Sequence, residues 1–461
     1  MEKIASTEKR WPVLLTTMFA SFMNPFMLAA VNIGLPDIQE QFNCSATTLS
    51  WITNSFLLAN AMVLLPLSKA ADIWGRVRFF KIGLYLFTLF SLLAAFSPNI
   101  TLLITMRVFQ GAGAALMHVT GLAILTETYP ANKRGVALGI NIGAVYTGLS
   151  LGPFVGGMLT QLGGWQLIFL AVVPLGLASI VMAHVNLRNV LSSLQKHAFD
   201  YQGSIIYVLA IFAFIYGGGK IKTTPGLLIW LGGIVLMVFF FIFEKQRETP
   251  ILNVKLLQNN RRFTFSNIAA FIHYSATFGV SFLLSLYLQY SKGMTPGEAG
   301  LALVIQPLIM AVTAPLTGRL SDKIEPGTIA SAGLLLTFVS LAGMVLLNTQ
   351  SSLTFIVILL AILGLGFGLF TSPNTNAIMS SVDRKNLGIA SGINATMRVF
   401  GQTISMMMAT IFISIYLDKS VLSASNTGQL VKSMHLYFIF FSVLSLAGIW
   451  FSLQRNKSSK Q

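Results

Sequence analysis

The sequence consists of long apolar runs that are separated by short, charged loops. Residues of the hydrophobic class make up 54% of the 461 residues, and only 10% are charged. A soluble protein of this length could not bury so much apolar surface, so the composition predicts an all-α polytopic membrane protein. A membrane span needs about 20 predominantly apolar residues. Fourteen spans are predicted on this basis, at 11–35, 48–68, 79–97, 101–126, 135–160, 166–187, 203–219, 226–244, 263–289, 298–317, 327–347, 354–373, 388–416 and 433–453.

The lysines and arginines are distributed unevenly between the two sets of loops. With fourteen spans, 23 of the 30 fall in loops and tails on one side and 5 on the other. Because cytoplasmic loops are enriched in these residues, the bias predicts that both termini are cytoplasmic. The net charge of +16 is spread over short loops and forms no patch or tail, so the sequence does not predict nucleic-acid binding.

The two parts of the chain contain an internal repeat. Residues 135–141 (GVALGIN) match residues 388–394 (GIASGIN) at an offset of 253, and the loop that contains Asp72 is echoed by the loop that contains Asp322. Repeated six-helix halves with a site between them are typical of secondary transporters. We therefore predict an N-terminal half at 1–190, two inserted helices and their loops at 191–260, and a C-terminal half at 261–461.

Arg107 stands out in the fourth predicted span, because an ionised side chain inside a membrane usually faces a bundle interior or a wet cavity. Gln110 follows one turn later, and His118 follows about three turns later on nearly the same face. These three residues are predicted to line a substrate cavity. Two alternatives stay open: Arg107 binds backbone carbonyls in a purely structural role, or His118 is a neutral, packed histidine and takes no proton.

Further candidates for the cavity lie in the predicted C-terminal half. His273 and Arg398 are both deep in predicted spans, whereas none of the 14 acidic residues lies at the middle of one. A cavity whose deep charges are positive favours neutral or anionic substrates. The proton acceptor is then predicted to be His118, or Asp37 and Glu40 at the outer mouth.

Glycines recur at every fourth position in the fifth predicted span. Gly148, Gly152 and Gly156 share one helix face, where the absence of side chains lets another helix come close. Gly157 extends this small-residue segment, and Pro153 removes one backbone donor. We predict that this face packs against another helix and sets the closed conformation.

A charge cluster is predicted next to the second loop. Asp72 and Arg76 are four residues apart and can pair on a short helix, with Gly75 between them. Glu127, at the end of the fourth span, is within reach. The cluster is predicted to hold the halves closed on the cytoplasmic side, and the alternative is a loop that only fixes the orientation of the chain.

These segments together resemble the major facilitator superfamily, and specifically its fourteen-helix drug:proton antiporter branch. The resemblance rests on six segments that follow one another in the order of the motifs of that branch: residues 32–36, 68–76, 107–115, 148–157, 164–169 and 200–203. It implies a proton-coupled exporter of small organic or amphiphilic compounds, of the multidrug type, in a bacterial inner membrane. The branch usually carries an aspartate nine residues before Pro36, where this chain has Met27.

Two other functions stay open from the sequence. One is import or facilitated diffusion of a neutral or anionic metabolite such as a vitamin, and the other is a non-transporting receptor or scaffold. The sequence contains no nucleophile–base constellation, no metal-ligand spacing and no GxxxxGK[ST] loop, so we predict neither an enzyme nor a bound cofactor or metal. The predicted partners are a small-molecule substrate, protons and the lipid bilayer, and the chain is expected to be a monomer.

Overall fold

The computed structural model describes residues 7–188, 198–321, 323–383, 387–417 and 420–455 of the chain. All regular elements in these residues are helical, and fourteen of them are long and apolar enough to cross a membrane. The prediction of an all-α protein with fourteen spans is therefore confirmed. The spans are numbered α1 to α14: Arg10–Phe42, Ala46–Trp74, Arg76–Ala95, Ile100–Thr128, Gly135–Gly163, Gln166–Asn186, Tyr201–Gly219, Thr224–Gln246, Arg261–Ser291, Pro296–Leu320, Pro326–Met344, Leu353–Ser380, Leu387–Leu417 and Ala424–Gln454.

The helices differ from the predicted spans mainly in length. Helix α1 continues through Pro36 to Phe42, whereas the predicted span stops at residue 35. The last turn of α9, Tyr287–Ser291, is a π-helix, and α10 is interrupted at Val304. A short helix, Val254–Asn259, precedes α9. Hydropathy gives no information on the π-turn or on the interruption, because both are features of backbone geometry and not of apolar content.

The repeat in the sequence is matched by a repeat in the helix contacts. A Cβ placed on Gly148 of α5 would lie 2.5 Å from the carbonyl oxygen of Phe22 in α1. A Cβ on Gly401 of α13, its partner at the offset of 253, would lie 2.7 Å from the carbonyl oxygen of Phe271 in α9. Likewise, α4 packs on α2 and α3, as α12 packs on α10 and α11. The boundaries of the halves at 190 and 260 stay a prediction, and the echoed loop residues Asp322 and 384–386 lie outside the described residues.

Helices α7 and α8 pack on each other, and α7 also packs on α2 and α13. The hydroxyl of Tyr207 in α7 donates a hydrogen bond to the carbonyl of Ala61 in α2 (2.9 Å). Met407 of α13 contacts Gly218 at the other end of α7. Helix α7 of the inserted pair therefore packs where α2 of one predicted half meets α13 of the other.

The glycine face of α5 packs against another helix, as predicted, and that helix is α1 of the same predicted half. That this face sets the closed conformation stays a prediction. A Cβ on Gly152 would lie 2.6 Å from the Cβ of Ala29, and a Cβ on Gly156 would lie 2.7 Å from the Cα of Ala30. These distances leave no room for a side chain, so the two backbones are in direct contact at these positions.

A second face of α5 contacts α10, which belongs to the other predicted half. A Cβ on Gly157 would collide with the carbonyl oxygen of Pro296, and a Cβ on Gly300 would collide with that of Pro153. Nearby, the hydroxyl of Ser285 donates to the carbonyl of Asn32 in α1 (2.7 Å). These contacts close the bundle at the end where α1, α5 and α9 finish.

The opposite end of the bundle is open. Within the described part of the chain, Gly135 and Gly139 near the start of α5 have no atom within 4 Å of an added Cβ. The same is true of their repeat partners Gly388 and Gly392 near the start of α13. The structure thus represents one conformation of a two-ended bundle, joined at one end and separated at the other.

We expect Gly152→Leu to reduce transport at least tenfold while the protein still inserts into the membrane. The leucine side chain would force α5 away from Ala29, and overpacking of this kind typically costs about 1–3 kcal/mol. Transport by membrane vesicles, normalised to the amount of inserted protein, measures the effect. Gly232→Leu is the matched control, because an added Cβ at Gly232 has no neighbour within 4 Å. Normal transport by Gly152→Leu would refute the packing argument.

Candidate functional site

A cavity of about 690 Å³ lies between the two sets of six helices. It is lined by residues of α1, α2, α4 and α5 from one set, and of α9, α10, α12 and α13 from the other. The lining includes Gly388 at the open end, and Gln306 and Leu303 near the closed end. A cleft of this volume is large enough to hold a small organic molecule.

Carboxamides form a large share of the polar lining, alongside serine and threonine hydroxyls. Seven of them come from five different helices: Asn24, Asn32, Asn60, Asn141, Gln306, Asn394 and Gln402. The side-chain oxygens of Asn24, Asn60 and Asn141 are buried and have no hydrogen-bond partner among the described residues. Each amide can offer either its oxygen or its nitrogen by rotation, so the cavity presents both acceptors and donors to a ligand.

Aromatic side chains form part of the remaining wall. Tyr146 of α5 faces the cavity from one half, and Tyr274, Phe278 and Phe367 face it from the other. Aromatic rings provide large apolar contact areas and preferred stacking geometries for planar ligands. Among the described lining residues there is no aspartate or glutamate.

Arg398 and His118 meet across the cavity. Arg398 lies on α13 and His118 lies on α4, and both line the cavity. A guanidinium nitrogen, Nη2, contacts Nε2 of the imidazole. Because the guanidinium has no acceptor atom, it donates, and the imidazole nitrogen must be the unprotonated one. The structure therefore places these two predicted cavity residues together, 280 positions apart in the sequence.

The prediction that Arg107 and Gln110 line the cavity is not met. Both side chains are fully buried, and neither belongs to the lining. Arg107 donates from Nε to the carbonyl of Ile52 (3.1 Å) and from Nη1 to Oε1 of Gln110 (2.5 Å). Gln110 in turn donates to the hydroxyl of Ser91 (2.6 Å), and the ring of Phe56 lies 4.2 Å from the guanidinium carbon. Helices α2 and α3 cover this part of α4, so the hydrogen-bond partners of Nε and Nη1 both lie within one half, while Nη2 is buried without a partner among the described residues.

His273 also lies outside the cavity lining. It is fully buried, and its ring centroid is 4.2 Å from that of Phe370 and 4.7 Å from that of Phe367. Met27 is fully buried as well and is not a lining residue. A carboxylate at position 27 would therefore not reach the cavity in this conformation, whereas Asn24, one turn earlier on α1, does line it.

The predicted charge cluster forms, but within one half. Nε of Arg76 lies 2.7 Å from Oδ1 of Asp72, and Nη1 lies 2.6 Å from Oε1 of Glu127. Gly75 makes the turn between α2 and α3 possible, with a φ of 109°, in the region that favours glycine. The cluster joins α2, α3 and α4, so it does not bridge the two halves, and it is intact while the cavity is open at one end.

Asp37, a proposed proton acceptor, has a structural partner. Its Oδ2 accepts a hydrogen bond from the backbone N–H of Trp165 at the start of α6 (2.8 Å). This carboxylate ties the ends of α1 and α6 together at the closed end of the bundle.

The amides and tyrosines of the lining were not predicted from the sequence. One signal for them is present in the sequence, because Asn141 and Asn394 are the last residues of the two repeated segments and both reach the cavity. Arg455, just after α14, is a second fully buried arginine among the described residues, and it was not predicted from the sequence. Arg455 donates to the hydroxyl of Ser266 (3.1 Å) and to Oδ1 of Asn374, and burial lowers its pKa to about 10.

Comparison with known proteins defines the class. The family model of the Major Facilitator Superfamily matches residues 17–257 and 266–461, so the chain belongs to this superfamily. It is a multi-pass membrane transporter rather than an enzyme.

Curated relatives carry different names. The chain is 29% identical to the riboflavin transporter RibZ of Clostridioides difficile, over 95% of each chain. It is also 29% identical to the multidrug resistance protein Stp of Mycobacterium tuberculosis, over 85% of this chain and 74% of that protein. The tetracenomycin C resistance and export protein of Streptomyces glaucescens is 29% identical as well, over 89% and 78%.

Solved structures show the same fold. A bacterial homologue of the human lysosomal transporter Spinster, in an inward-facing and unoccupied conformation, aligns over 98% of both chains with a TM-score of 0.71 and 16% identity. At this identity the likeness concerns the fold alone.

We expect Asp72→Asn to slow transport severalfold with little change in substrate affinity. Asp72 binds Arg76 outside the cavity, so its loss biases conformations without touching a ligand. Initial rates of transport over a range of substrate concentrations separate the two effects. Arg78→Gln is the control, because Arg78 is exposed in the first turn of α3, which also carries Arg76. A loss of affinity at an unchanged maximal rate would contradict this role.

We expect Arg107→Ala to lower the yield and thermal stability of the protein without changing the order in which it prefers charged substrates. The substitution leaves Gln110 and the carbonyl of Ile52 buried without their donor. Melting of the detergent-solubilised protein and transport of cationic, neutral and anionic probes measure the two effects. A stable Arg107→Ala protein with reversed charge preference would show that Arg107 does act on substrates.

Proposed function

We propose that the protein is a proton-coupled secondary transporter of small, neutral or anionic organic compounds in a bacterial inner membrane. The observation that carries the proposal is the charge of the cavity: Arg398 faces it, and the described lining residues contain no carboxylate. A cation in such a site would meet a positive charge without a counter-ion in surroundings of low polarity. An anion, or a neutral group with hydrogen-bond acceptors, would satisfy the guanidinium.

The remainder of the lining narrows the substrate class. Four aromatic rings favour compounds with planar, apolar parts. Seven carboxamides favour compounds that also carry several donors and acceptors, because each unpaired buried amide costs free energy until a ligand pairs with it. Partly aromatic natural products and heterocyclic metabolites have both properties.

The first candidate for the direction of transport is multidrug-type efflux, with protons exchanged for substrate. It is supported by the resemblance of residues 148–157 to the antiporter motif and by the relatives that are named for drug resistance and export. The second candidate is uptake of a neutral or anionic metabolite such as a vitamin. It is supported by the sign of the cavity and by the relative that is named a riboflavin transporter.

We further propose that the open end of the cavity faces the cytoplasm, together with both termini. The loop bias of lysine and arginine supports this orientation. Alternating access would then require the contacts of α5 with α10 to break and the ends near Gly135 and Gly388 to approach each other. In this motion, residues 1–190 and 261–461 are the two halves of a monomer that move relative to each other. A receptor or scaffold needs no such cavity, so this third alternative has no support from the geometry.

We expect wild-type protein to transport anionic and neutral probes in preference to a cation of similar size. Everted membrane vesicles with an imposed pH gradient can be assayed with 8-anilino-1-naphthalenesulfonate (anionic), N-phenyl-1-naphthylamine (neutral) and ethidium (cationic). Arg398→Gln should reduce transport of the anion about tenfold and leave the neutral probe within about twofold, since tenfold corresponds to about 1.4 kcal/mol.

Asn24→Asp provides the converse test of the same proposal. It replaces a lining amide by a carboxylate of similar size, so it should shift the preference towards ethidium. Met27→Asp is the matched control on the same helix, since Met27 does not reach the cavity. If wild-type protein already prefers ethidium and Asn24→Asp leaves the order unchanged, the charge of the cavity does not select the substrate.

A further inference from the structure

The contact between Arg398 and His118 has a consequence for proton binding. Nε2 of His118 accepts from the guanidinium, so that nitrogen cannot carry a proton while the contact lasts. If His118 is protonated, two cations face each other in a cavity lining that has no carboxylate among its described residues. The contact with Arg398 therefore holds His118 in its neutral form.

An anionic group in the cavity would change this balance. A carboxylate, sulfonate or phosphate oxygen is a stronger acceptor for a guanidinium than an imidazole nitrogen, because the charged pair adds Coulombic attraction to the hydrogen bond. Once such a group takes over the Nη2 donor of Arg398, the lone pair of His118 Nε2 becomes available. A hydronium ion that reaches the cavity can then transfer its proton to Nε2, so that one O–H bond breaks, an N–H bond forms and water is left. The resulting imidazolium also attracts the anion.

We propose that Arg398 and His118 form one site, shared by the two halves, that binds an anionic group of the substrate together with one proton. The inference rests on the proposed substrate class and specifies how that class is coupled to protons. The only bond formed is N–H at His118, and the hydrogen bond from Arg398 to His118 is exchanged for one from Arg398 to the substrate. The anion and the proton enter the cavity as a pair without net charge.

The other ionisable groups of the lining do not replace His118 in this role. They are Tyr146 on α5 and Tyr274 on α9, and the interactions of Tyr146 include Arg398, Tyr274 and Thr371. A tyrosine is neutral at physiological pH, so it can donate to the anion but does not take up a proton. The described lining residues of α1, α2, α10 and α12 are not ionisable.

The paired site selects one of the two directions of transport. By linkage, an anion that strengthens proton binding is itself bound more tightly when the proton is present. Proton and substrate then cross the membrane in the same direction, so the inward proton gradient of a bacterial cell would drive uptake of anionic substrates. An exchanger requires the opposite, that proton and substrate weaken each other's binding.

The test measures binding of the two naphthalene probes to purified protein in lipid nanodiscs at pH 5.5 and pH 8.0, at constant ionic strength. The sulfonate of 8-anilino-1-naphthalenesulfonate stays ionised over this range, and N-phenyl-1-naphthylamine lacks it. We expect the anionic probe to bind at least tenfold more tightly at pH 5.5, and the neutral probe to bind equally at both pH values. His118→Gln keeps an acceptor near Nε2 but cannot titrate, so it should abolish the pH dependence while Arg398 still favours the anion.

Controls separate the possible failures. His184→Gln changes a histidine of α6 that is not a lining residue, and it should retain the wild-type pH dependence. Three outcomes would overturn the paired site while leaving the substrate class intact. They are binding of the anionic probe to wild type that does not depend on pH, tighter binding at pH 8.0, and a pH dependence that survives in His118→Gln. If wild type binds neither probe saturably, or binds both equally and Arg398→Gln has no effect, the proposed substrate class itself fails, and the paired site fails with it.

Discussion

An unpartnered polar group in the hydrocarbon interior of a membrane costs several kcal/mol, and this constraint sorts the deep polar side chains of the protein into two groups. Arg107 finds its acceptors within one half, at Ile52 and Gln110. Among the described residues, Arg398 has its hydrogen-bond acceptor in the other half, at His118. The first arrangement can persist when the halves move as rigid bodies, but the second depends on how far apart they are. Only a contact between the halves can therefore change both with the conformation of the protein and with the ligand in the cavity.

Close backbone contacts also divide into contacts within one half and contacts between the halves. On one face, α5 contacts α1 through Gly152 and Gly156, inside the same set of six helices. On another face, it contacts α10 at Gly157 and Gly300. Since the contacts with α10 involve backbone atoms and few long side chains, they can separate without leaving charged groups exposed to lipid. One helix thus combines a fixed interface with a separable one, which explains why its glycines lie on more than one face.

The number of spans, the repeat and the charge cluster could be predicted because each depends on local sequence. Hydropathy identifies a span, and a spacing of four residues places Asp72 beside Arg76 whatever the rest of the chain does. The assignment of Arg107 to the cavity failed for a different reason. Helical periodicity places Arg107 and His118 on nearly the same face of α4, but the neighbours of that face change along the helix. Near Arg107 they are α2 and α3, whereas near His118 the face opens into the cavity.

The partner of His118 lies 280 residues away in the other half, and no periodicity within one helix can reveal such a contact. The internal repeat comes closer, since Asn141 and Asn394 both reach the cavity from corresponding helices. Residues that a repeat preserves on two helices, and that no local packing requires, are therefore a useful indicator of a shared site in chains of this kind. A single deep charge is a weaker indicator, because it can be satisfied within one half.

The amides of the lining place different demands on a ligand than carboxylates would. A carboxylate in a cavity of low polarity imposes a charge on its ligand, because leaving the carboxylate unpaired is very costly. A carboxamide imposes only hydrogen bonding, and by rotation it serves either donors or acceptors. In this chain, Asn24 and Asn32 line the α1 side of the cavity, and the position of the expected aspartate, Met27, is turned into the packed interior. Under the proposed function, selectivity for charge then rests on Arg398 and His118, and selectivity for shape rests on the aromatic wall.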